Sequence, residues 1–181
     1  MWLARETGCR LIGVDFSEVA VADASGRPVE FGVEGRAEFR VGELEAIGLP
    51  DSSVDAVVCV DAVQFAADAT AVAAELRRVL RPGGVAVLTT WETLDRDDPE
   101  VPERIRRLDL AAALPAGGLV DVEVRDKPEW LETERQLWAH IMGLDAGDDQ
   151  GLQDAQEEAA MVSTKLLPRS RRVLASGRAP A

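Results

Sequence analysis

Three carboxylates of this 181-residue sequence follow short apolar runs closely enough to do chemistry at the ends of strands. Asp15, Glu43 and Asp61 each lie within two residues of the last β-branched residue of such a run. Open α/β sheets bind their ligands at the carboxyl ends of the strands. Asp15 could accept hydrogen bonds from both hydroxyls of a ribose, and Glu43 could accept one from an exocyclic amine such as that of adenine. The alternatives are structural, because Asp15 could cap the next helix and Glu43 could be an exposed loop residue.

Further residues could act on the substrate side. Glu92 follows a predicted strand that ends at Thr90, and it could serve as a general base. His140, the single histidine, lies on a predicted apolar helix that could form a lid over a small substrate. The simpler interpretations are a solvated loop glutamate and a surface or core histidine. Gln64 and Phe65 follow Asp61 and could form the rim of a pocket.

The candidate residues depend on strands that alternate with helices along the chain. Continuous apolar runs predict buried strands, and strict alternation over residues 119–124 predicts a half-exposed or edge strand. The predicted strands are residues 11–14, 37–41, 54–60, 85–90, 119–124 and 172–176. Repeated strand–helix alternation predicts an α/β fold with a parallel sheet and helices on both faces.

Helical periodicity fills the segments between these strands. Apolar residues at i, i+4, i+7 and i+8 predict a helix that Asp68 caps and that ends at Arg81, because Pro82 cannot continue it. Gly83-Gly84 is expected to form the following turn. The other predicted helices are residues 18–24, 102–114, 130–142 and 152–166.

Composition narrows the class of protein. The chain is 46% hydrophobic with a formal net charge of −13, which fits one globular domain over residues 1–181 and argues against nucleic acid as a partner. No apolar run is long enough to span a membrane. Cys9 and Cys59 lack metal-ligand spacing, so no metal is predicted and the reduced cytoplasm is the expected location.

Four segments occur in one order with domain-like spacing: residues 11–17 (LIGVDFS), 42–44 (GEL), 49–58 (LPDSSVDAVV) and 76–84 (LRRVLRPGG). This series resembles the class I S-adenosylmethionine-dependent methyltransferases, particularly the type 11 small-molecule group. The resemblance covers nearly the whole chain. It implies a Rossmann-like three-layer sandwich, whose mostly parallel sheet has an antiparallel C-terminal strand. It also implies S-adenosylmethionine as cofactor and a small molecule as methyl acceptor.

The resemblance assigns roles residue by residue. Asp15 would bind the ribose of the cofactor, and Phe16 would lie against the adenine. Glu43 would hold the adenine amine, where family members usually carry Asp, and Leu44 would supply a backbone contact and an apolar wall. Asp61 would line the cleft near the methionine part. No catalytic base is assigned, because positioning and desolvation can suffice for transfer from an activated sulfonium.

The front of the sequence departs from the family pattern. The family has a strand and a glycine-rich loop before its first helix, whereas residues 2–8 already resemble the end of that helix, with Gly8 as its C-cap. We therefore expect the first strand to be missing, the start to be truncated, and an oligomer to form through the exposed sheet edge. Two alternatives to an active methyltransferase stay open: a non-catalytic methyltransferase-like protein, and a nicotinamide-dependent oxidoreductase.

Overall fold

Short β-branched runs become strands in this computed structural model, which describes residues 1–181. The chain divides into two compact units, Met1–Pro50 and Asp51–Ala181, and each contains one sheet. The expectation of one domain over residues 1–181 stays a prediction.

The first unit is a two-stranded parallel sheet with two helices. Its elements are α1 (Trp2–Thr7), β1 (Leu11–Asp15), α2 (Glu18–Gly26) and β2 (Ala37–Val41). The strands pair from Leu11 opposite Ala37 to Asp15 opposite Val41. The Phe39 ring packs over residue 13 because that residue is glycine: a Cβ there would lie 2.5 Å from a ring carbon of Phe39.

The predicted helix end at Gly8 is confirmed in this unit. Gly8 has a φ of 73°, in the left-handed region that glycine adopts without strain, and its N–H donates to the Ala4 carbonyl at 3.0 Å. α2 begins at Ser17, whose hydroxyl accepts from the Ala20 N–H at 3.2 Å. Pro28 lies just beyond the end of α2, so the helix is as short as the sequence indicates.

The second unit is a four-stranded mixed sheet with five helices. Its elements are β3 (Val54–Val60), α3 (Ala69–Val79), β4 (Leu80–Thr93), α4 (Glu103–Arg106), α5 (Leu110–Ala116), β5 (Val120–Asp126), α6 (Pro128–Met142), α7 (Gln150–Met161) and β6 (Ser170–Arg178). A 3₁₀ turn at Val63–Phe65 and a π-helical turn at Val162–Leu166 complete it.

Strand order in this sheet is β3-β4-β6-β5. β3 and β4 are parallel, and β6 is antiparallel to both of its neighbours. The antiparallel C-terminal strand is therefore confirmed, and β5 lies at an edge as its alternating pattern predicts. β3 has one hydrogen-bonded neighbour, and its Val58 and Val60 are 50% and 65% exposed.

The core of the second unit lies between its helices and the sheet. Leu76 of α3, Leu88 of β4, and Leu110 and Leu114 of α5 are fully buried. α3 and α5 pack closely because residue 117 is glycine, where a Cβ would lie 2.4 Å from the Ala73 Cβ. None of the helices combines the length and the apolar character that crossing a membrane requires.

Several predicted boundaries are wrong. The helix expected to end at Arg81 is α3, which ends at Val79, because Leu80 is already extended and begins β4. The single helix over 102–114 is two helices, α4 and α5, because Asp109 caps a new helix by accepting from the Ala112 N–H at 3.0 Å. Pro115 lies inside α5 instead of ending it. The turn at Gly83-Gly84 is an irregular part of β4, where the register with β3 shifts and Gly83 has a φ of 76°.

Candidate functional site

Asp15 is the last residue of β1, and one of its carboxylate oxygens accepts a hydrogen bond within the chain. Its Oδ1 accepts from the Ser17 N–H at 2.8 Å, and Ser17, not Asp15, caps α2. The other oxygen has no hydrogen-bond partner within the chain, and Asp15 is exposed. The carboxylate therefore stiffens the strand–helix turn while it keeps acceptor capacity for a ligand. Phe16, beside it, is 71% exposed.

Glu43 and Leu44 follow β2 at the same end of the first unit's sheet. The Gly42 N–H donates to the Asp15 carbonyl at 3.0 Å, which joins the carboxyl ends of the two strands. A Cβ on Gly42 would lie 2.9 Å from a methyl carbon of Val14, so this approach needs glycine. The Glu43 carbonyl accepts from the Ala46 N–H at 3.1 Å, and its side chain is exposed. The structure thus brings Asp15, Phe16, Glu43 and Leu44 to one edge.

Asp61 belongs to the second unit and follows β3. Its backbone has a φ of 51°, a left-handed conformation that is uncommon for residues other than glycine and that clusters at functional sites. Its Oδ1 accepts from the Thr89 hydroxyl at 2.9 Å, and both carboxylate oxygens lie 2.8 Å from the Arg172 Nη2. The Asp61 carboxylate is therefore held from two strands, β4 and β6.

Arg172 joins Asp61 to a second carboxylate on α6. Its Nε lies 3.1 Å from the Glu134 Oε1, and the other Glu134 oxygen accepts from the Trp91 indole N–H at 3.0 Å. The guanidinium carbon lies 4.4 Å from the centre of the Trp91 ring. The Arg172 side chain is 5% exposed, and its Nε and Nη1 make no aligned hydrogen bond. The buried positive charge is therefore balanced by the charges of Asp61 and Glu134, although not all of its N–H groups have a hydrogen-bond acceptor.

Burial raises the pKa of the Glu134 carboxyl. The positive charge of Arg172 and the Trp91 N–H oppose that effect, and the negative charge of Asp61 adds to it. The group consequently gains a proton at a higher pH than a solvated glutamate does. We call Asp61, Arg172 and Glu134 the charge triad.

Glu92 lies inside β4, and the expectation that it follows the strand as a general base is not supported by its contacts. It is 4% exposed. One oxygen accepts from the Leu110 N–H at 2.8 Å, at the start of α5, and the other accepts from the Arg171 Nη2 at 2.8 Å. Both oxygens are thus engaged in joining β4 to α5 and β6.

The other candidates separate into buried and exposed residues. Gln64 is buried and accepts from the Thr90 hydroxyl at 2.8 Å, whereas Phe65 is 59% exposed with the Arg104 guanidinium 5.2 Å from its ring centre. His140 is exposed in the last turn of α6, in agreement with its simpler interpretation. No three or more His, Cys, Asp or Glu side chains are grouped to hold a metal ion.

A groove of about 420 Å³ lies between the start of α3 and α5. The Arg96 guanidinium and Asp109, both in its lining, are paired at 2.7 Å. Burial alone would raise the pKa of Asp109, but the Ala112 N–H and Arg96 together hold that pKa below its ordinary value. The charges of the groove therefore stabilise α5.

Arg172 and Glu134 are residues around Asp61 that the sequence reasoning missed as site residues. By sequence position alone, Arg172 forms a basic cluster with Arg169 and Arg171 beside the last predicted strand. The contact between Arg172 and Asp61 spans 111 residues, so local spacing contains no signal for it. The one sequence signal for this pair is an arginine inside the predicted last strand. Arginine is seldom buried unless it is paired with a carboxylate, and Asp61 at the end of another predicted strand is such a carboxylate.

Comparison with known proteins gives the class of this fold. Phosphoethanolamine N-methyltransferase 2 of Haemonchus contortus, in complex with S-adenosyl-L-methionine, superposes with a TM-score of 0.78 and 20% identity, over 99% of this chain and 45% of that one. The fold is therefore Rossmann-like, as the resemblance implies, and it is shared with this methyltransferase.

The sequence relatives are methyltransferases of small molecules. Residues 1–88 match the family model described as a methyltransferase domain. The 2-methyl-6-phytyl-1,4-hydroquinone methyltransferase of Synechocystis is 29% identical over 92% of this chain and 58% of its own length. A sterol 24-C-methyltransferase of Gibberella zeae is 30% identical over 60% of this chain and 29% of its own. Over residues 1–88 the chain is therefore similar to methyltransferases, and it spans less than two thirds of these two relatives.

Proposed function

We propose that this chain binds S-adenosylmethionine and transfers its methyl group to a small-molecule acceptor. The observation that carries the proposal is the pair of carboxylates, Asp15 and Glu43, at the carboxyl edge of β1 and β2. Asp15 keeps one oxygen, and Glu43 both, free of hydrogen bonds within the chain. The relatives named above act on a hydroquinone, a sterol and phosphoethanolamine, which supports a small molecule as acceptor.

The residues present fit the adenosine part of the cofactor. A ribose offers two neighbouring hydroxyl donors, and an exposed carboxylate oxygen is the acceptor they require. The exposed Phe16 ring could cover the adenine, and Glu43 could accept from its amine while Leu44 provides a backbone contact. Gly42 keeps the strand ends in direct contact, so the two carboxylates stay at one edge.

Catalysis would then depend on placement of the two reactants. When bound, S-adenosylmethionine supplies a methyl group that its sulfonium already activates. Asp15 and Glu43 would orient the adenosine, and the role of Asp61 stays a prediction from the resemblance. No side chain of the chain is required as a base for a nucleophile that is already deprotonated.

Calorimetric titration with S-adenosylhomocysteine tests the proposal. We expect micromolar binding by the wild type, and Asp15→Asn should weaken it about tenfold, because one charge-assisted hydrogen bond is lost. Asp23→Asn is the matched control, since Asp23 lies on α2 with a side chain 71% exposed. A folded chain that does not bind S-adenosylhomocysteine would exclude the proposal, and binding of a nicotinamide dinucleotide instead would select the oxidoreductase.

A second candidate, a non-catalytic protein that pairs through a sheet edge, is favoured by one feature. β3 has a single neighbour, and two of its valines are half or more exposed. Edge strands of this kind form hydrogen bonds with strands of other chains. Light scattering during size-exclusion chromatography tests it: a dimer that Val58→Lys converts to a monomer supports pairing through β3, and a wild-type monomer argues against self-association.

A further inference from the structure

We propose that Glu134 is a pH-sensitive clasp between α6 and the sheet of the second unit: the sheet holds α6 most firmly when this carboxyl is neutral, and the helix loosens when the carboxyl is ionised. The clasp lies wholly within Asp51–Ala181. It requires no cofactor and is therefore independent of the proposed function.

α6 lies on the sheet without a buried side chain of its own. None of its 15 residues is buried, whereas four residues of the shorter α3 are: Val72, Ala73, Leu76 and Val79. Elements with few buried apolar contacts open locally at a lower free energy than core elements do. α6 is therefore able to move away from the sheet while α3 stays in place.

Both ends of α6 are tied to neighbouring elements. At its start, the Lys127 N–H donates to the Arg172 carbonyl at 2.8 Å. At its other end, the side-chain amide of Gln156 on α7 donates to the Ile141 and Leu144 carbonyls, at 3.1 Å and 2.8 Å. Movement of α6 between these ties depends on what holds the middle of the helix.

Glu134 joins the middle of α6 to two strands. One of its oxygens lies 3.1 Å from the Arg172 Nε on β6, and the other accepts from the Trp91 indole N–H on β4 at 3.0 Å. Trp130 lies four residues earlier, on the same face of the helix. Its ring centre is 5.9 Å from the Arg172 guanidinium carbon. The polar contact between α6 and the sheet is thus concentrated on one glutamate.

The charge triad contains one more negative charge than positive charge while Glu134 is ionised. Arg172 is the one cation between the two carboxylates, with Asp61 2.8 Å away. The neighbouring cations Arg171 and Lys127 have carboxylate partners of their own, at 2.8 Å and 3.3 Å. Because Arg172 is 5% and Glu134 18% exposed, water screens the surplus charge poorly. A neutral Glu134 leaves Asp61 and Arg172 as a balanced pair.

The direction of the pH effect follows from the environment of Glu134. Burial raises the pKa of its carboxyl, and Asp61 adds to this rise, whereas Arg172 and the Trp91 N–H oppose it. α7 and the π-helical turn contribute no charged group to the balance. The docked carboxyl therefore binds its proton more tightly than a solvated one does. Docking is firmest below the pKa of a solvated glutamate and weakens as the pH rises through the docked-state pKa.

Hydrogen exchange of the full chain, followed by mass spectrometry, tests the clasp. Glu134→Gln removes the surplus charge and keeps an oxygen that can accept from the Trp91 N–H. At neutral pH we expect the α6 amides of this variant to exchange roughly fivefold more slowly than those of the wild type, with the α3 amides unchanged. Glu132→Gln is the matched control, because it is the same substitution on α6 at a side chain 59% exposed and paired with Arg135. It should leave α6 exchange unchanged.

Lowering the pH provides a second arm. The wild type and Glu134→Gln are compared at each pH, so that the intrinsic rate of exchange cancels. The difference in α6 exchange between them should disappear as Glu134 of the wild type gains its proton. Equal or faster α6 exchange in Glu134→Gln at neutral pH overturns the clasp, and so does a difference that persists at low pH. An equal change in α3 also overturns it, because α6 would then not move separately.

Discussion

Replacing Glu92 tests whether this buried carboxylate is structural. Glu92→Ala removes the acceptor of the Leu110 N–H, and a buried donor left without a partner destabilises the fold by about 1–3 kcal/mol. Arg171 loses one of two carboxylates but is 41% exposed, so this loss adds only about 0.5–1 kcal/mol. With a small cavity term, we expect the free energy of unfolding to fall by about 3 kcal/mol.

Glu92→Gln separates the two contacts. Its amide oxygen can still accept from the Leu110 N–H, whereas the charge that faces Arg171 is gone. We expect a loss of about 1 kcal/mol, roughly a third of the alanine effect. Urea unfolding followed by circular dichroism measures both variants.

Glu100 provides the control for these two variants. It is an exposed carboxylate, and its oxygen lies 3.6 Å from the Lys165 Nζ. Glu100→Ala should change the free energy of unfolding by less than about 0.5 kcal/mol. The reasoning fails if Glu92→Ala costs no more than this control. It also fails if Glu92→Gln abolishes methyl transfer while it stays folded, because a general base would then be lost.

Three other predictions concern stability and reactivity. Gly117→Ala should destabilise the second unit by about 2–3 kcal/mol in urea unfolding, since its Cβ would meet the Ala73 Cβ at 2.4 Å. Asp109→Asn should be less stable than the wild type near neutral pH, and the difference in unfolding free energy should fade below about pH 4 in an acid titration. The pKa of the Asp109 carboxyl is lower in the folded chain than in the unfolded chain. The ionised carboxyl therefore stabilises the fold above the unfolded-state pKa, and this contribution is lost as the pH falls through the folded-state pKa. Cys9 should react with a thiol reagent at once and Cys59 only on unfolding, because Cys59 is 5% exposed and burial raises the pKa of its thiol.

Each of these three has a contradicting outcome. Gly26→Ala is the control for glycine, since a Cβ there meets nothing within 4 Å, and equal effects at both glycines would contradict the packing argument. A pH-independent difference for Asp109→Asn would contradict the linkage. Reaction of both thiols at one rate in the folded chain would contradict the burial of Cys59.

The apolar runs of the sequence predicted the bounds of the first three strands well, but the expected burial of β1 and β3 is wrong, because β1 contains no buried residue and β3 only Cys59. β2 and β3 have the predicted bounds, and β1 is one residue longer. The placement of Asp15 and Glu43 at one edge followed from these runs, because parallel pairing puts both carboxyl ends together. Their binding of a cofactor stays a prediction.

Long-range pairing decided what the sequence could not predict. The predicted strand over residues 85–90 ends at Thr90, yet β4 continues to Thr93 because Ser170–Arg172 of β6 pair with residues 91–93. The same strand provides both arginines that bind Asp61 and Glu92, across 111 and 79 residues. Neither the periodicity of apolar residues nor a helix-capping pattern can predict contacts between residues this far apart in the sequence.

The position of β6 in its sheet sets the order in which this chain can mature during synthesis. β5 is made before β6 but has no other strand to pair with, and β4 gains its second neighbour from β6 alone. At about 5–20 residues per second, β5 waits roughly 3–10 s for Arg178. During that interval its backbone donors and acceptors and the apolar sides of β4 are accessible to chaperones and to other nascent chains. Slower translation between β5 and β6 should therefore lower the yield of native protein.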